Sequence, residues 1–212
     1  MPDARALSMA RTWLDVLVRM MADDARRAAM VADLVHPKWL LMLVRPGLAR
    51  DDVPLVLEFV GMLLSTSPSL AQTWTRLGGF RVLERTLPPH WDVPCVLPWM
   101  WTLLLGPHAP KSSLYHTFAH ATAVVHPQTL RVIVQCMAHG MMACRTAPAK
   151  RRASLPHIPA PPPGLTALED SVRLLVVHSH NEDVRALLML APTLVAVLRA
   201  TAPCFVDEPC GP

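Results

Sequence analysis

Proline places the strongest limit on how this chain can fold. Its 22 prolines mostly stand between apolar segments or at their starts, whereas glycine occurs only eight times. Proline has no backbone N–H and a fixed φ, so it is tolerated in the first turn of a helix and interrupts regular structure elsewhere. The apolar segments place their hydrophobic residues three and four apart, without Asn-Gly or Asp-Gly turns and without sustained alternation. The sequence therefore predicts an all-α protein with almost no sheet.

The hydrophobic residues make up 52% of the chain and the aromatic ones only 5%, so the core must come mainly from Leu, Val, Ala and Met. A membrane-spanning helix needs about 20 consecutive apolar residues. The longest candidates, residues 95–105 and 186–198, are too short, and proline interrupts both. The amino terminus carries charges where a signal peptide would be apolar. We expect a cytoplasmic protein without a transmembrane segment, which reaches membranes only peripherally, through its partners.

Breaker residues divide the chain into about ten helices. The predicted helices span residues 4–21, 24–34, 39–44, 53–64, 69–77, 80–87, 92–105, 113–125, 127–141, 165–178 and 182–201. Four regions follow, namely a helical array at 1–145, a basic proline-rich linker at 146–164, a helical hairpin at 165–201 and an irregular tail at 202–212. Stacked helical hairpins explain such a series better than a four-helix bundle does.

Three predictions concern packing. The first helix should bury one apolar face, formed by Leu7, Trp13, Val16, Leu17, Met20 and Met21. The six tryptophans should act mainly as packing anchors in the core, at positions 13, 39, 74, 91, 99 and 101. The helix at 92–105 is apolar on almost all sides, which predicts that other helices surround it in the core.

A glycine pair, Gly78 and Gly79, separates two predicted helices in the segment LGGFRVLERTL, residues 77–87. Glycine permits a sharp turn between helices because it adopts left-handed backbone conformations without steric cost. The apolar residues of the second helix then fall on one stripe that should be buried, formed by Phe80, Leu83 and Leu87.

This segment, followed by Asp-Val-Pro at 92–94 and the apolar run at 99–105, resembles an armadillo repeat. An earlier stretch repeats the pattern loosely about 40 residues upstream, a period typical of armadillo and HEAT-like arrays. Residues 51–106 also resemble the helical region upstream of the lipid-binding and BEACH modules in very large BEACH-domain scaffold proteins. The resemblance implies an armadillo/HEAT-like α-solenoid, interrupted here by the linker, and a place in membrane trafficking or autophagy.

Two histidines, His116 and His120, lie four apart in a predicted helix, a spacing at which zinc can be bound. Thr117 follows the first of them, whereas the zincin motif requires Glu there as the general base. Cys136 and Cys144 are eight residues apart, too far to bind one ion from a straight helix. We therefore predict no catalytic residue, no metal site and no cofactor. A small metal- or nucleic-acid-binding helical protein, which would use both histidines and the basic linker, remains the alternative.

The linker contains the sharpest short motif, Lys-Arg-Arg-Ala-Ser-Leu at 150–155. Ser154, with Arg151 and Arg152 before it, resembles the substrate consensus of basophilic kinases such as the cyclic-AMP-dependent kinase. A phosphate would place a charge of about −2 beside three positive side chains. Other basic residues are scattered, so the net charge of +4 predicts no specific nucleic-acid partner.

Together these observations predict a non-catalytic scaffold for protein–protein interaction rather than an enzyme. Its expected partners are a protein or peptide ligand on the solenoid surface and a kinase at the linker.

Overall fold

The computed structural model describes residues 4–45, 47–146 and 163–189, and those residues form eleven α-helices, two short 3-10 turns and no strand. The predicted all-α class is therefore confirmed for this part of the chain. The chain divides into two compact units, Met1–Thr86 and Leu87–Pro212. The linker motif with Arg151, Arg152 and Ser154 lies outside the described residues, as do residues 190–212, which include the end of the last predicted helix and the tail.

The first unit contains six helices and one 3-10 turn at Arg50–Asp52. The helices are α1 at Ala4–Ala22, α2 at Ala25–Leu34, α3 at Pro37–Leu43, α4 at Val53–Thr66, α5 at Pro68–Arg76 and α6 at Gly79–Thr86. Helices α1 and α2 pack against each other and against α4, which also contacts α5. The apolar side chains of α4 are buried on most of its circumference, so this helix forms the centre of the unit.

The second unit contains five described helices and a 3-10 turn at Pro88–His90. They are α7 at Val96–Leu105, α8 at Leu114–Phe118, α9 at Thr129–Thr146, α10 at Pro163–His178 and α11 at Glu182–Leu188. Helix α7 packs mainly against α9 and also against α10 and α8. It is buried on nearly all sides, as its composition predicts, although it begins four residues later than expected because residues 92–95 form turns around Pro94.

Local capping explains several of the helix starts. The side chains of Asp24, Ser67, Ser113 and Asn181 each accept a hydrogen bond from a backbone N–H in the first turn of the following helix. The sequence predicts Asp51 or Asp52 as the cap of α4, and this prediction is wrong, since Asp52 precedes the helix without a side-chain bond to it. The 3-10 turn at Arg50–Asp52 instead leads directly into that helix.

The glycine pair has two separate roles. Gly78 takes φ +80° immediately after α5, the left-handed conformation that closes a helix. Gly79 is the buried first residue of α6, and a Cβ there would overlap the indole ring of Trp74. The stripe formed by Phe80, Leu83 and Leu87 is buried, as the sequence predicts.

The helix predicted at 113–125 is wrong beyond Phe118, where α8 ends after five residues. The carbonyl oxygen of Phe118 accepts a hydrogen bond from Nε2 of His178, at 3.0 Å, instead of continuing the helix. Further along, the backbone N–H of Val125 donates to the carbonyl of Leu104, at 2.7 Å. Contacts with α10 and with the end of α7 thus outweigh the local helical preference of this segment.

No single helix in the described residues is long and apolar enough to cross a membrane. Residues 50–66 and 68–76 reach that length and apolarity only as a pair, which is bent by 114°.

Candidate protein-interaction surfaces

Helix α1 carries two apolar faces, and only one of them is buried. Val18 and Met21 are almost fully buried where α1 packs against α2 and α4. A second set of apolar residues is 40–65% exposed, and it consists of Met9, Trp13, Val16 and Met20. We call these four residues the α1 stripe. The predicted buried face of this helix is therefore wrong at Trp13, Val16 and Met20 and correct at Met21.

The residues of the α1 stripe follow one another at intervals of four, three and four. This spacing keeps the four side chains along one line of an α-helix, and it is the a/d spacing of a coiled-coil seam. A seam of this kind buries its side chains between those of a second helix. The stripe therefore has the geometry of a helix-binding surface, although its residues do not contribute to the core of the unit.

Charged pairs occupy the remaining side of α1. Arg19 forms an ion pair with Asp15 at 3.0 Å, one turn apart on the same helix. Arg11 reaches the turn before α4, where it pairs with the Asp52 carboxylate at 3.5 Å and donates to the carbonyl of Asp51 at 3.2 Å. These exposed pairs contribute little stability each, about 1 kcal/mol at most. They do mark the polar edge of the stripe.

Other large apolar side chains of the first unit are also exposed, namely Met30, Leu34, Trp39 and Met42 on α2 and α3. Trp39, at 71% exposure, and Trp13, at 65%, contradict the prediction that the tryptophans lie in the core. Trp74 and Trp101 are fully buried, as predicted. The four residues on α2 and α3 are exposed individually, whereas only the α1 stripe has the regular spacing of a continuous apolar line.

A second apolar surface lies on α7. Cys95, Pro98, Trp99 and Thr102 recur at helical spacing, are half-buried, and together with Pro94 line an open slot of about 300 Å³. We call it the α7 slot. Its walls are almost entirely apolar, so it suits an apolar ligand better than a charged one.

Three polar side chains of the α10–α11 region fix the short α8 segment in the second unit. Asp170, almost fully buried, accepts a hydrogen bond from the backbone N–H of Tyr115 at 3.2 Å. His178 bonds to Phe118 as described above, and the Asn181 amide donates to the carbonyl of Thr122 at 2.9 Å. We call these three residues the α8 anchor. Burial lowers the pKa of His178 below its ordinary value, and the hydrogen bond to Phe118 opposes this only in part.

A buried hydrogen bond joins α7 to α10 beside the α8 anchor. The indole N–H of Trp101 donates to the Ser171 hydroxyl at 3.0 Å, and this hydroxyl donates in turn to the carbonyl of Ala167 at 2.7 Å. The Trp101 ring also lies 5.9 Å from the His178 ring, centre to centre. The chain therefore satisfies these buried polar groups internally, as an ordered core requires.

The two histidines of the alternative zinc-binding reading do not share a helix face. His116 lies on α8, whereas His120 lies in the turn after its end, and both are exposed. Cys136 is fully buried, which raises the pKa of its thiol, while Cys144 is exposed. Among the described residues no three His, Cys, Asp or Glu side chains are grouped so as to hold a metal ion. The helix-face argument for a zinc site at these histidines is therefore wrong.

Sequence reasoning missed the α1 stripe, the α7 slot and the α8 anchor. The four-three-four spacing in α1 was visible, but it did not reveal which of the two apolar faces is buried in the core.

The comparisons with protein-family models, with curated proteins and with solved structures find no significant match to this chain.

Proposed function

We propose that this chain is a non-catalytic scaffold that binds another protein through the α1 stripe. The observation that carries the proposal is the exposure of Met9, Trp13, Val16 and Met20 in a line, on a helix whose other apolar face already supplies its packing. Exposing four large apolar side chains is unfavourable in water, at roughly 25 cal/mol for each Å² of apolar surface. A partner that covers them recovers this free energy.

The partner that fits is an amphipathic helix with apolar residues at three- and four-residue spacing. Such a helix places its side chains between those of the α1 stripe, as in other helix-in-groove complexes. Trp13 lies near the middle of the stripe, and large aromatic side chains at the centre of an interface commonly dominate its binding energy. The polar edge formed by Asp15 and Arg19 then sets the orientation of the partner.

The wider architecture belongs to the same proposal. The glycine turn, the buried stripe of α6 and the period of about 40 residues support an armadillo/HEAT-like α-solenoid. The resemblance of residues 51–106 supports a place within a large BEACH-type protein of membrane trafficking or autophagy, with cytoplasmic location. In that setting the chain reaches membranes through its partners.

A comparison of three forms of the full chain tests the proposal. The stripe variant is Met9→Glu with Val16→Glu, and the matched control is Ala22→Glu, which changes an exposed residue on the opposite side of the same helix. Proteins bound to each form are quantified side by side by mass spectrometry. We expect a defined set that binds the native chain and the control but not the stripe variant. Identical sets for all three forms would contradict binding through the stripe.

Fractionation of the same three forms in cells tests the membrane-trafficking part. Partner-mediated association predicts that the native chain and the control sediment partly with membranes and that the stripe variant does not. Equal distribution of all three forms would contradict membrane association through a partner. The binding comparison above tests the protein interaction itself separately.

A further inference from the structure

The spacing of the α1 stripe reads the same in both directions along the helix. Met9 and Met20 form its two ends, with Trp13 and Val16 between them. A two-fold axis between residues 14 and 15 therefore sets two antiparallel copies of α1 in register, since the same surface then serves both copies. Met9 faces Met20 of the second copy, and Trp13 faces Val16. Each central layer thus joins a large side chain to a small one, as interdigitating helices require, whereas a parallel pair sets the two indoles against each other.

A polar pocket borders the α1 stripe on the side of the helix that faces α4. It encloses about 420 Å³ and is lined by Arg11, Thr12, Asp15, Asp51, Pro54, Leu55 and Glu58. We call it the α1–α4 pocket. Three carboxylates stand against one guanidinium here, and that guanidinium is already paired with Asp52. Glu58 is half-buried and makes no ion pair with another described residue. The pocket is therefore acidic and suits a cationic side chain.

The antiparallel register brings such a cation to the pocket. Thr12 and Arg19 each come directly before a residue of the α1 stripe, so they hold equivalent positions on the same flank of the seam. An antiparallel pair places like flanks together, which sets Arg19 of the second copy beside Thr12. Side chains lean towards the amino terminus of their own helix, and in the antiparallel copy this direction leads from Thr12 towards Asp15. The guanidinium therefore approaches the carboxylates of Asp15 and Glu58.

The ion pair that Arg19 makes within its own copy does not prevent this contact. Arg19 pairs with Asp15 at 3.0 Å, but the two side chains are 78% and 44% exposed. An exposed pair of this kind contributes little stability, so Arg19 exchanges it readily for the more enclosed pocket of a second copy. The two-fold axis repeats the exchange in both copies. We propose that two copies of this chain form an antiparallel dimer through their α1 stripes, with Arg19 of each copy in the α1–α4 pocket of the other.

This inference rests on the proposal that a helix covers the α1 stripe, and it identifies that helix as α1 of a second copy. Four partly exposed side chains form the centre of the interface, which is small beside the roughly 800 Å² that each partner buries in a standard complex. We therefore expect a reversible dimer with a dissociation constant of roughly micromolar order. A helix of another protein competes with the second copy, so dissociation of the dimer exposes the stripe to other partners.

Sedimentation equilibrium of the purified full chain, between about 1 μM and 1 mM, tests the dimer. The native chain and the Ala22→Glu control should dimerise over this range, and Met9→Glu with Val16→Glu should stay monomeric. Circular dichroism verifies that every form keeps the native helix content. A native chain that is monomeric throughout, or a stripe variant that dimerises like the native chain, would overturn the proposal. Neither result bears on the capture of other proteins, which the binding comparison above measures.

Two charge variants test the position of Arg19 in the dimer. Arg19→Glu and Glu58→Lys should each weaken dimerisation roughly tenfold when studied alone, because two symmetric contacts become repulsive. An equimolar mixture of the two variants should dimerise with nearly native affinity, since each altered charge then meets its opposite in the other chain. If Glu58→Lys lowers the helix content, Asp15→Lys replaces it. Native affinity in the single variants, or no recovery in the mixture, would rule out the antiparallel contact.

Discussion

Gly79 lies directly against the indole ring of Trp74, so close that any side chain at position 79 would overlap the ring. Trp74 is fully buried, and its ring connects α5 with the first turn of α6. The neighbouring Gly78 has open space around its Cα and a left-handed backbone instead. Two adjacent glycines are thus required for different physical reasons, and the difference can be measured.

We expect Gly79→Ala to destabilise the protein by roughly 2–3 kcal/mol, since the added methyl group forces a rigid buried ring to move. Gly78→Ala should cost about 1 kcal/mol, which is the strain of a left-handed alanine. Denaturant unfolding of both variants measures the two values. Trp74→Leu should recover part of the loss when combined with Gly79→Ala, and strictly additive effects would contradict direct contact between the two positions.

The two faces of α1 should respond differently to the same substitution. Val18→Ala removes two buried methyl groups and should cost roughly 1–2 kcal/mol of unfolding free energy. Val16→Ala removes the same groups from the exposed stripe and should change stability by less than about 0.5 kcal/mol. Thermal or denaturant unfolding decides the matter, and equal losses at the two valines would show that the stripe belongs to the core.

The Trp101–Ser171 hydrogen bond gives a further stability prediction. Ser171→Ala leaves the buried indole N–H without an acceptor and should cost about 1–3 kcal/mol. Ser179→Ala near the end of the same helix is the matched control, because that hydroxyl is exposed and bonds only to the local carbonyl of Val176. A control variant as unstable as Ser171→Ala would contradict the special role of the buried bond.

Acid should weaken the α8 anchor. The pKa of His178 is lowered in the folded protein by burial, whereas in the unfolded chain it has the ordinary value of about 6.5. The unfolded state therefore binds more protons below that pH, so stability is full above about pH 6.5 and falls as the pH drops towards the lowered pKa. His178→Gln keeps a donor for Phe118 but does not titrate. Its stability should depend less on pH between 6.5 and 5, and an unchanged dependence would exclude His178 as the source.

Phosphorylation at the linker is predicted from sequence alone. The cyclic-AMP-dependent kinase should modify the purified chain at Ser154, and Arg151→Ala with Arg152→Ala should reduce the rate strongly because the kinase recognises the paired charges. Ser154→Ala is the control that identifies the site by mass spectrometry. Phosphate incorporated equally into the alanine variant would contradict the prediction.

The sequence predicted those parts of the fold that depend on neighbouring residues. Helix starts at Asp24, Ser113 and Asn181 follow from caps within three residues, and the buried character of α7 follows from its composition. The early end of α8 does not follow from neighbouring residues, because the groups that bond to the carbonyls of Phe118 and Thr122 lie about 60 residues further along the chain.

The candidate surfaces were harder to predict for a related reason. Helix α1 contains two apolar faces with helical spacing, and each alone is a plausible core face. Only the positions of α2 and α4 decide that Val18 is buried and Trp13 is exposed. The α7 slot likewise depends on which side of an entirely apolar helix its neighbours leave open.

The central claim is that a partner helix covers the α1 stripe, and site-specific photo-cross-linking in cells tests it most directly. A photoreactive amino acid is placed at position 13 in one form of the chain and at the exposed position 22, on the opposite side of the same helix, in another. We predict defined protein adducts from position 13, mapped to a helical segment with apolar residues three and four apart, and their loss with Met9→Glu and Met20→Glu. The same adducts from both positions, or none from position 13, would contradict the account.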